Sequence, residues 1–108
     1  MGKYGIRVAM DEEQMQKDGY DIEKMHALFD RLFVERLKLT KNESRRMYEG
    51  DGKHAWSSVW ASVDICEEIP WFKEYVTEWK YLTNAYSGNP EVFECEDIIK
   101  EYRRMGAM

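Results

Sequence analysis

The first ten positions of the chain alternate between larger apolar side chains and small or basic ones. Tyr4, Ile6, Val8 and Met10 occupy every second position of this segment. A period of two is typical of a β-strand, so the pattern predicts a short strand or an extended arm over residues 1–10. Because no partner strand is predicted elsewhere in the chain, we expect this segment to be an ordered tail or to pair with a second chain.

Beyond residue 10 the apolar positions recur at helical spacing. Asp11, Asp21 and Asn89 stand where helix N-caps are expected, and Thr40 with Glu43 forms a capping-box pattern. Together with the spacing, these signals predict helices over residues 11–18, 21–38, 41–49, 54–68, 70–87 and 90–105.

Length and composition allow one domain with an unusual core. A chain of 108 residues is too short for large nucleotide-binding or barrel folds. We therefore predict an all-α fold, a single bundle-like domain of four to five helices over residues 1–108 with a short extended N-terminal segment. Aromatic residues make up 14% of the chain and it contains seven Met. The aromatic residues on the predicted helix stripes are expected to fill the core: Trp56, Trp60, Phe72, Tyr75, Trp79, Tyr86 and Tyr102.

Three other aromatic side chains project away from the predicted core faces. These are Trp71, Tyr81 and Phe93. Tyr and Trp are enriched in the cores of protein interfaces, so we predict that the three residues bind a partner, either another protein or a second copy of this chain. The alternative is that the helices are buried on two sides, in which case the three residues belong to the core.

Charge is unevenly distributed along the chain. The formal net charge is −5, and it arises from the second half, because the first half is balanced. An acidic surface of this kind favours a basic partner. Residues 31–46 are locally basic and could follow a phosphate backbone, and residues 39–63 loosely match a helix-turn-helix outline. The second helix of that outline lacks Arg, Asn and Gln for reading bases, so nucleic-acid binding is the less favoured alternative. Its candidate residues are Arg31, Lys38, Lys41, Arg45 and Arg46.

Residues with catalytic or metal-binding chemistry are few and scattered. Glu23 and His26 could share a helix face, but a metal site of the di-iron type needs several more ligands. Cys66 and Cys95 both fall on apolar stripes, where a free cysteine behaves as a small hydrophobic residue. We therefore expect no metal, no cofactor and no catalytic site. An enzyme with a site assembled in space from His26, His54 or a cysteine is kept as an alternative.

The function that these observations favour is a small non-catalytic protein-interaction or regulatory module. The short length and the lack of motifs are typical of proteins from phages and mobile elements. Residues 1–10 lack the apolar run of a signal peptide, and no stretch approaches the roughly 18 apolar residues of a membrane span. The two cysteines form no disulfide framework. The sequence therefore predicts a cytoplasmic protein without membrane contact.

Overall fold

A computed structural model describes residues 2–106 of the chain as a five-stranded antiparallel sheet packed against helices. The strands are β1 (Lys3–Met10), β2 (Thr40–Asn42), β3 (Met47–Asp51), β4 (Val76–Thr83) and β5 (Glu94–Asp97). The helices are α1 (Glu12–Lys17), α2 (Ile22–Asp30), α3 (Gly52–Glu68), α4 (Phe72–Tyr75) and α5 (Ile98–Arg104), and a π-helical segment (Arg31–Arg36) continues α2. The prediction of an all-α bundle is therefore wrong, since the fold combines helices with a sheet.

The strand order across the sheet is β2-β3-β1-β4-β5. The first four strands and the helices between them follow the β-α-β-β-α-β connectivity of the ferredoxin-like arrangement, and β5 with α5 extends it by one strand and one helix. Such connectivity is shared by proteins of unrelated function, so it does not assign a function to this protein. Within residues 2–106 no helix is long and apolar enough to cross a bilayer.

The N-terminal segment forms the central strand of this sheet. Its first half pairs with β3, with Ile6 opposite Tyr48, and its full length pairs with β4, with Val8 opposite Trp79. The alternation of the segment correctly predicted a strand. Its partners lie within this chain, because two of the segments predicted as helices are strands.

The segment predicted as a helix over 41–49 is the β2–β3 hairpin. The Asn42 side chain accepts a hydrogen bond from the Arg45 backbone N–H at 3.1 Å, which closes the turn. Arg46 adopts a left-handed conformation with φ 55°. The polar residues that resemble a capping box therefore form a tight turn between strands.

The helix predicted over 70–87 ends after one turn. α4 stops at Tyr75, and β4 continues to Thr83. β4 is buried on both faces, with Trp79 against the helices and Leu82 on the other side. Because apolar residues occur at both odd and even positions of β4, their spacing resembles a helical period. The helix prediction failed for this reason.

Two further predicted helices are shorter than expected. Residues 90–97 are not helical, and α5 begins only after Asp97, whose side chain accepts the Lys100 N–H at 3.2 Å. In the segment predicted over 21–38, α2 gives way to the π-helical segment, and Lys38 ends it with φ 62°. The helices predicted over 11–18 and 54–68 correspond to α1 and α3.

The core lies between the sheet and the helices and is largely aromatic. Trp79 is fully buried, with ring centroids 4.9 Å from Phe72 and 5.1 Å from Tyr102. Phe29 and Phe33 from α2 and the π-helical segment stack at 5.5 Å, and Phe33 meets Tyr48 of β3 edge-on. These contacts compensate for the scarcity of aliphatic residues.

Tyrosine–carboxylate pairs connect β3 to α2 and α4 to the end of α1. Tyr48 donates a hydrogen bond to Asp30 at 2.6 Å, and Tyr75 donates one to Asp18. Burial and the Asp30 carboxylate raise the pKa of Tyr48, while the hydrogen bond to Asp18 and burial raise the pKa of Tyr75. Burial, with a contribution from Glu67, raises the pKa of Tyr102 to about 12.

Replacing the central tryptophan should separate packing from hydrogen bonding. We expect Trp79→Ala to lower the free energy of unfolding by about 3–5 kcal/mol, because it leaves a large cavity. Trp79→Phe should cost less than half of that, since the indole nitrogen has no hydrogen-bond partner among residues 2–106. Urea unfolding of the two variants measures both losses. Equal losses of unfolding free energy would contradict the conclusion that Trp79 stabilises the core through packing.

Stability should decline in alkaline solution. Unfolded tyrosine has a pKa of about 10. In the folded state the pKa values of Tyr48, Tyr75 and Tyr102 are higher, so these phenols stay protonated at a pH where unfolded tyrosine loses its proton. The unfolded state then binds fewer protons, so the free energy of unfolding falls as pH rises beyond about 10. Urea unfolding across this range measures the decline. A Tyr48→Phe/Tyr75→Phe double variant should show a shallower decline, and an unchanged slope would refute the explanation.

Candidate functional site

Four aromatic side chains line two neighbouring cavities on the helix-covered side of the sheet, and a fifth, Trp60, packs against Tyr81 of the smaller one. They come from β1, α3, β4 and the loop after β4, and we call them the aromatic groove: Tyr4, Trp56, Trp60, Tyr81 and Tyr86. Three of them are strongly exposed for their size, with relative exposures of 46% for Trp56, 37% for Trp60 and 76% for Tyr86. Large exposed aromatic residues grouped around one groove indicate a binding surface.

The groove consists of two adjoining cavities that share Tyr86. The larger one has a volume of about 560 Å³ and lies between Tyr4, Trp56 and Tyr86, with Lys53 at its margin. The smaller one, of about 280 Å³, runs along β4 and β5 and is lined by Tyr81 and Glu96, among others. The two cavities together are lined by residues from Trp56 of α3 to Glu96 of β5.

The rings inside the groove contact one another. The centroids of Trp60 and Tyr81 are 5.2 Å apart with an angle of 35° between the planes. Desolvation and the neighbouring Tyr86 phenol raise the pKa of Tyr4, and desolvation is also the main cause of the raised pKa of Tyr81. Both phenols therefore stay neutral and available as hydrogen-bond donors at physiological pH.

The sequence leaves this end of the sheet uncovered for two reasons. The buried face of α3 includes the small residues Ala55, Ser58 and Ser62. Trp56 and Trp60 lie beside this face and not within it. α5 has only seven residues, and its Tyr102 reaches Trp79. α5 therefore packs on the part of β4 around Trp79, and the ring of Tyr81 contacts the edge of α3 through Trp60.

The wall of the groove formed by β5 is acidic. Glu96 pairs with Tyr81 and Glu94 pairs with Thr83 in the β4–β5 register, so both carboxylates project on the same side of the sheet as the aromatic rings. All four β5 residues are exposed. A partner that occupies the groove would therefore meet negative charge along this wall.

The three predicted partner-binding aromatics lie in three different places. Tyr81 is in the groove. Trp71 lies near the opposite end of β4, 6.0 Å from Tyr20 and 6.1 Å from Phe29 between ring centroids. Phe93 lies on the other face of the sheet, where the Arg45 guanidinium is 5.1 Å from its ring centre. The structure therefore does not join them into one patch.

Most of the groove was missed by sequence reasoning. Trp56, Trp60 and Tyr86 were expected in the core because they fall on helical stripes, yet they are exposed. For α3 the available signal was the row of small residues around Ser58 and Ser62, which forms part of the buried face in place of the two tryptophans.

The predicted basic residues are dispersed, and three of them form ion pairs. Arg45 binds Glu49 at 3.2 Å, Arg46 binds Glu78 at 3.3 Å and Lys41 binds Asp30 at 3.2 Å. Burial raises the pKa of Asp30, but the hydrogen bonds from Tyr48 and Lys41 outweigh it and keep the pKa below its usual value. The five candidates do not lie on one helix, because the π-helical segment ends at Arg36 and residues 40–51 form a hairpin. The other two candidates, Arg31 and Lys38, are exposed.

The residues considered for catalysis or metal binding remain apart. Glu23 and His26 both lie in α2, and the imidazole of His26 is paired with Glu12 at 3.2 Å. Cys66 is buried, and burial raises the pKa of its thiol, whereas Cys95 is exposed on β5 and not in the core as expected. Among residues 2–106 no three His, Cys, Asp or Glu side chains are grouped to hold a metal ion.

Comparison with known proteins gives no relative for this chain: no family model, no curated protein and no solved structure matches it.

The contact between Arg45 and the buried Glu49 allows a test of whether Arg45 stabilises the fold. Glu49 accepts hydrogen bonds from Asn42 at 2.7 Å and from Arg45 at 3.2 Å. We expect Arg45→Ala to lower the free energy of unfolding by about 1.5–3 kcal/mol, because it removes a charged hydrogen-bond partner. Arg31→Ala, a matched change at an exposed site, should stay within about 0.5 kcal/mol of the parent protein. Urea unfolding checks both, and equal effects would show that Arg45 has no structural role.

Proposed function

We propose that this protein is a non-catalytic interaction module whose aromatic groove binds a basic segment of another protein. The observation that carries the proposal is the exposure of Trp56 and Tyr86 in the larger cavity, together with the exposed Trp60 that packs against Tyr81 of the smaller one. Trp and Tyr supply most binding hot spots, since they bury a large area with few rotatable bonds.

The charge around the groove supports a basic partner. Glu94 and Glu96 form one wall, and the chain carries a net charge of −5. Among residues 2–106, Lys53 is the only cationic residue that lines either cavity. Complementary charge raises association rates and discriminates against wrong partners. A segment rich in Lys or Arg, with an apolar side chain for the aromatic rings, matches this surface.

Nucleic acid is the less favoured ligand. Aromatic rings can stack with bases, but the carboxylates of β5 would repel phosphates at the same groove. Three of the five basic residues considered for phosphate contact are engaged with carboxylates elsewhere. These observations support a protein partner over a nucleic acid.

A cytoplasmic location is part of the proposal. Both cysteines are free thiols, and Cys95 is exposed. Free thiols persist in reducing compartments, which supports this placement.

Selection from a phage-displayed library of random peptides tests the proposed function. We expect enriched peptides to combine Lys or Arg with an aromatic or large aliphatic residue and to change the fluorescence of Trp56 and Trp60 on binding. Trp60→Ala and Trp56→Ala should each weaken binding by at least about tenfold, as expected for hot-spot residues.

The matched control is Tyr20→Ala. Tyr20 is an aromatic residue with 37% exposure, the same as Trp60, but it packs with Trp71 and Tyr75 near the other end of β4. Binding by this variant should remain within about threefold of the parent, a change of less than 1 kcal/mol. Enriched peptides that bind both tryptophan variants normally would refute the proposal, as would a library without enriched peptides. Binding of oligothymidylate at low salt, lost in Trp60→Ala, would instead support nucleic-acid binding.

A further inference from the structure

We infer that the basic segment binds by adding a strand to the outer edge of β5. This inference rests on the proposed function and specifies how its ligand is held. β5 is the last strand of the sheet, and all four of its residues, Glu94–Asp97, are exposed. In an antiparallel edge strand, alternate residues direct both N–H and C=O away from the neighbouring strand. Such an edge is a template for another strand.

The position of β5 distinguishes it from β2, the other edge of the sheet. β2 has only three residues, and its side chains are already engaged, Lys41 with Asp30 and Asn42 with Glu49. β5, by contrast, borders the cavity that contains Tyr81 and Tyr86. Only the β5 edge therefore offers backbone hydrogen bonds and an aromatic site to the same ligand.

The acidic side chains of β5 decide which strand can be added. Glu94 and Glu96 project on the groove side, while Cys95 and Asp97 project on the other. Two β5 strands from two copies would bring like charges together, which is destabilising, so a second copy of this edge is disfavoured. An incoming strand with Lys or Arg at every second position would place its cations beside these carboxylates.

The aromatic groove adds a requirement for an apolar side chain. Side chains on the groove side of an added strand would project over the cavity of about 280 Å³ that lies beside Tyr81 and Tyr86. The expected ligand is therefore an extended segment in which the basic residues and one aromatic or large aliphatic residue share the same set of every-second positions, the set that faces the groove. A helical ligand could use the rings but not the backbone of β5.

The tightest-binding basic peptide from the library provides the probe. It is synthesised with N-methylated amides at its odd positions and, separately, at its even positions. An added strand directs only one of these two sets toward β5, so we expect one set to weaken binding by at least about tenfold and the other to leave it within about threefold. Equal effects of the two sets would overturn the inference.

Charge reversal at the edge gives a second readout. Glu96→Lys should weaken binding by at least about tenfold. The matched control is Glu91→Lys, an exposed glutamate in the loop before β5 with the same change in net charge, and it should stay within about threefold. Equal weakening by the two variants would indicate a general charge effect and contradict strand addition.

Hydrogen exchange of the bound protein distinguishes the two proposals. Strand addition predicts slowed exchange at the outward-facing amides among Glu94–Asp97 when the peptide is bound. If Trp60→Ala abolishes binding while the β5 amides exchange as in the free protein, the groove function stands and strand addition is wrong. If neither the tryptophan variants nor the N-methylated peptides alter binding, the proposed function itself fails.

Discussion

The backbone of β1 has to satisfy its hydrogen-bonding groups on both sides, because the strand runs through the centre of the sheet. Buried N–H and C=O groups without partners are costly, and β1 obtains its partners from β3 on one side and β4 on the other. The helices then pack on the face that carries Ile6, which is fully buried. Gly5 allows Met47 to lie across the opposite face, since a Cβ at this position would stand 2.2 Å from the Met47 methyl carbon. The aromatic groove also depends on β1, because Tyr4 forms part of it.

The elements that sequence reasoning identified are those with local signals. β1 shows a clear period of two, and α1 has an aspartate cap whose side chain accepts the Gln14 N–H at 3.1 Å. β4 was missed because it is stabilised by pairing with the distant β1, and the β2–β3 hairpin was missed because its polar turn residues resemble a capping box. Where a strand is buried on both faces, its apolar positions no longer alternate, and Trp79 and Leu82 then fall three apart as they would in a helix.

The candidate site was harder to predict than the fold, because exposure depends on what covers a residue. Trp60 lies on an apolar stripe, yet it remains exposed because it stands beside the buried face of α3 and not within it. Tyr81 was recognised as unusual for the wrong reason, since it belongs to a strand and not to the outer face of a helix. Phe93 and Trp71 were grouped with it on the same reasoning, and each packs against a different part of the molecule.

The pairing of the first strand with the fourth also constrains how the protein is made. The Thr83 hydroxyl donates a hydrogen bond to the Lys3 carbonyl, 80 residues earlier in the chain. The ribosome releases β1 well before β4. The backbone N–H and C=O groups on one side of β1 therefore lack their strand partner until β4 has been synthesised. Contacts this distant in sequence slow folding, and a nascent β1 exposes alternating apolar residues in the meantime. Chaperone access during synthesis would then matter more for this chain than for a helical bundle of the same length, whose contacts form as each hairpin is completed.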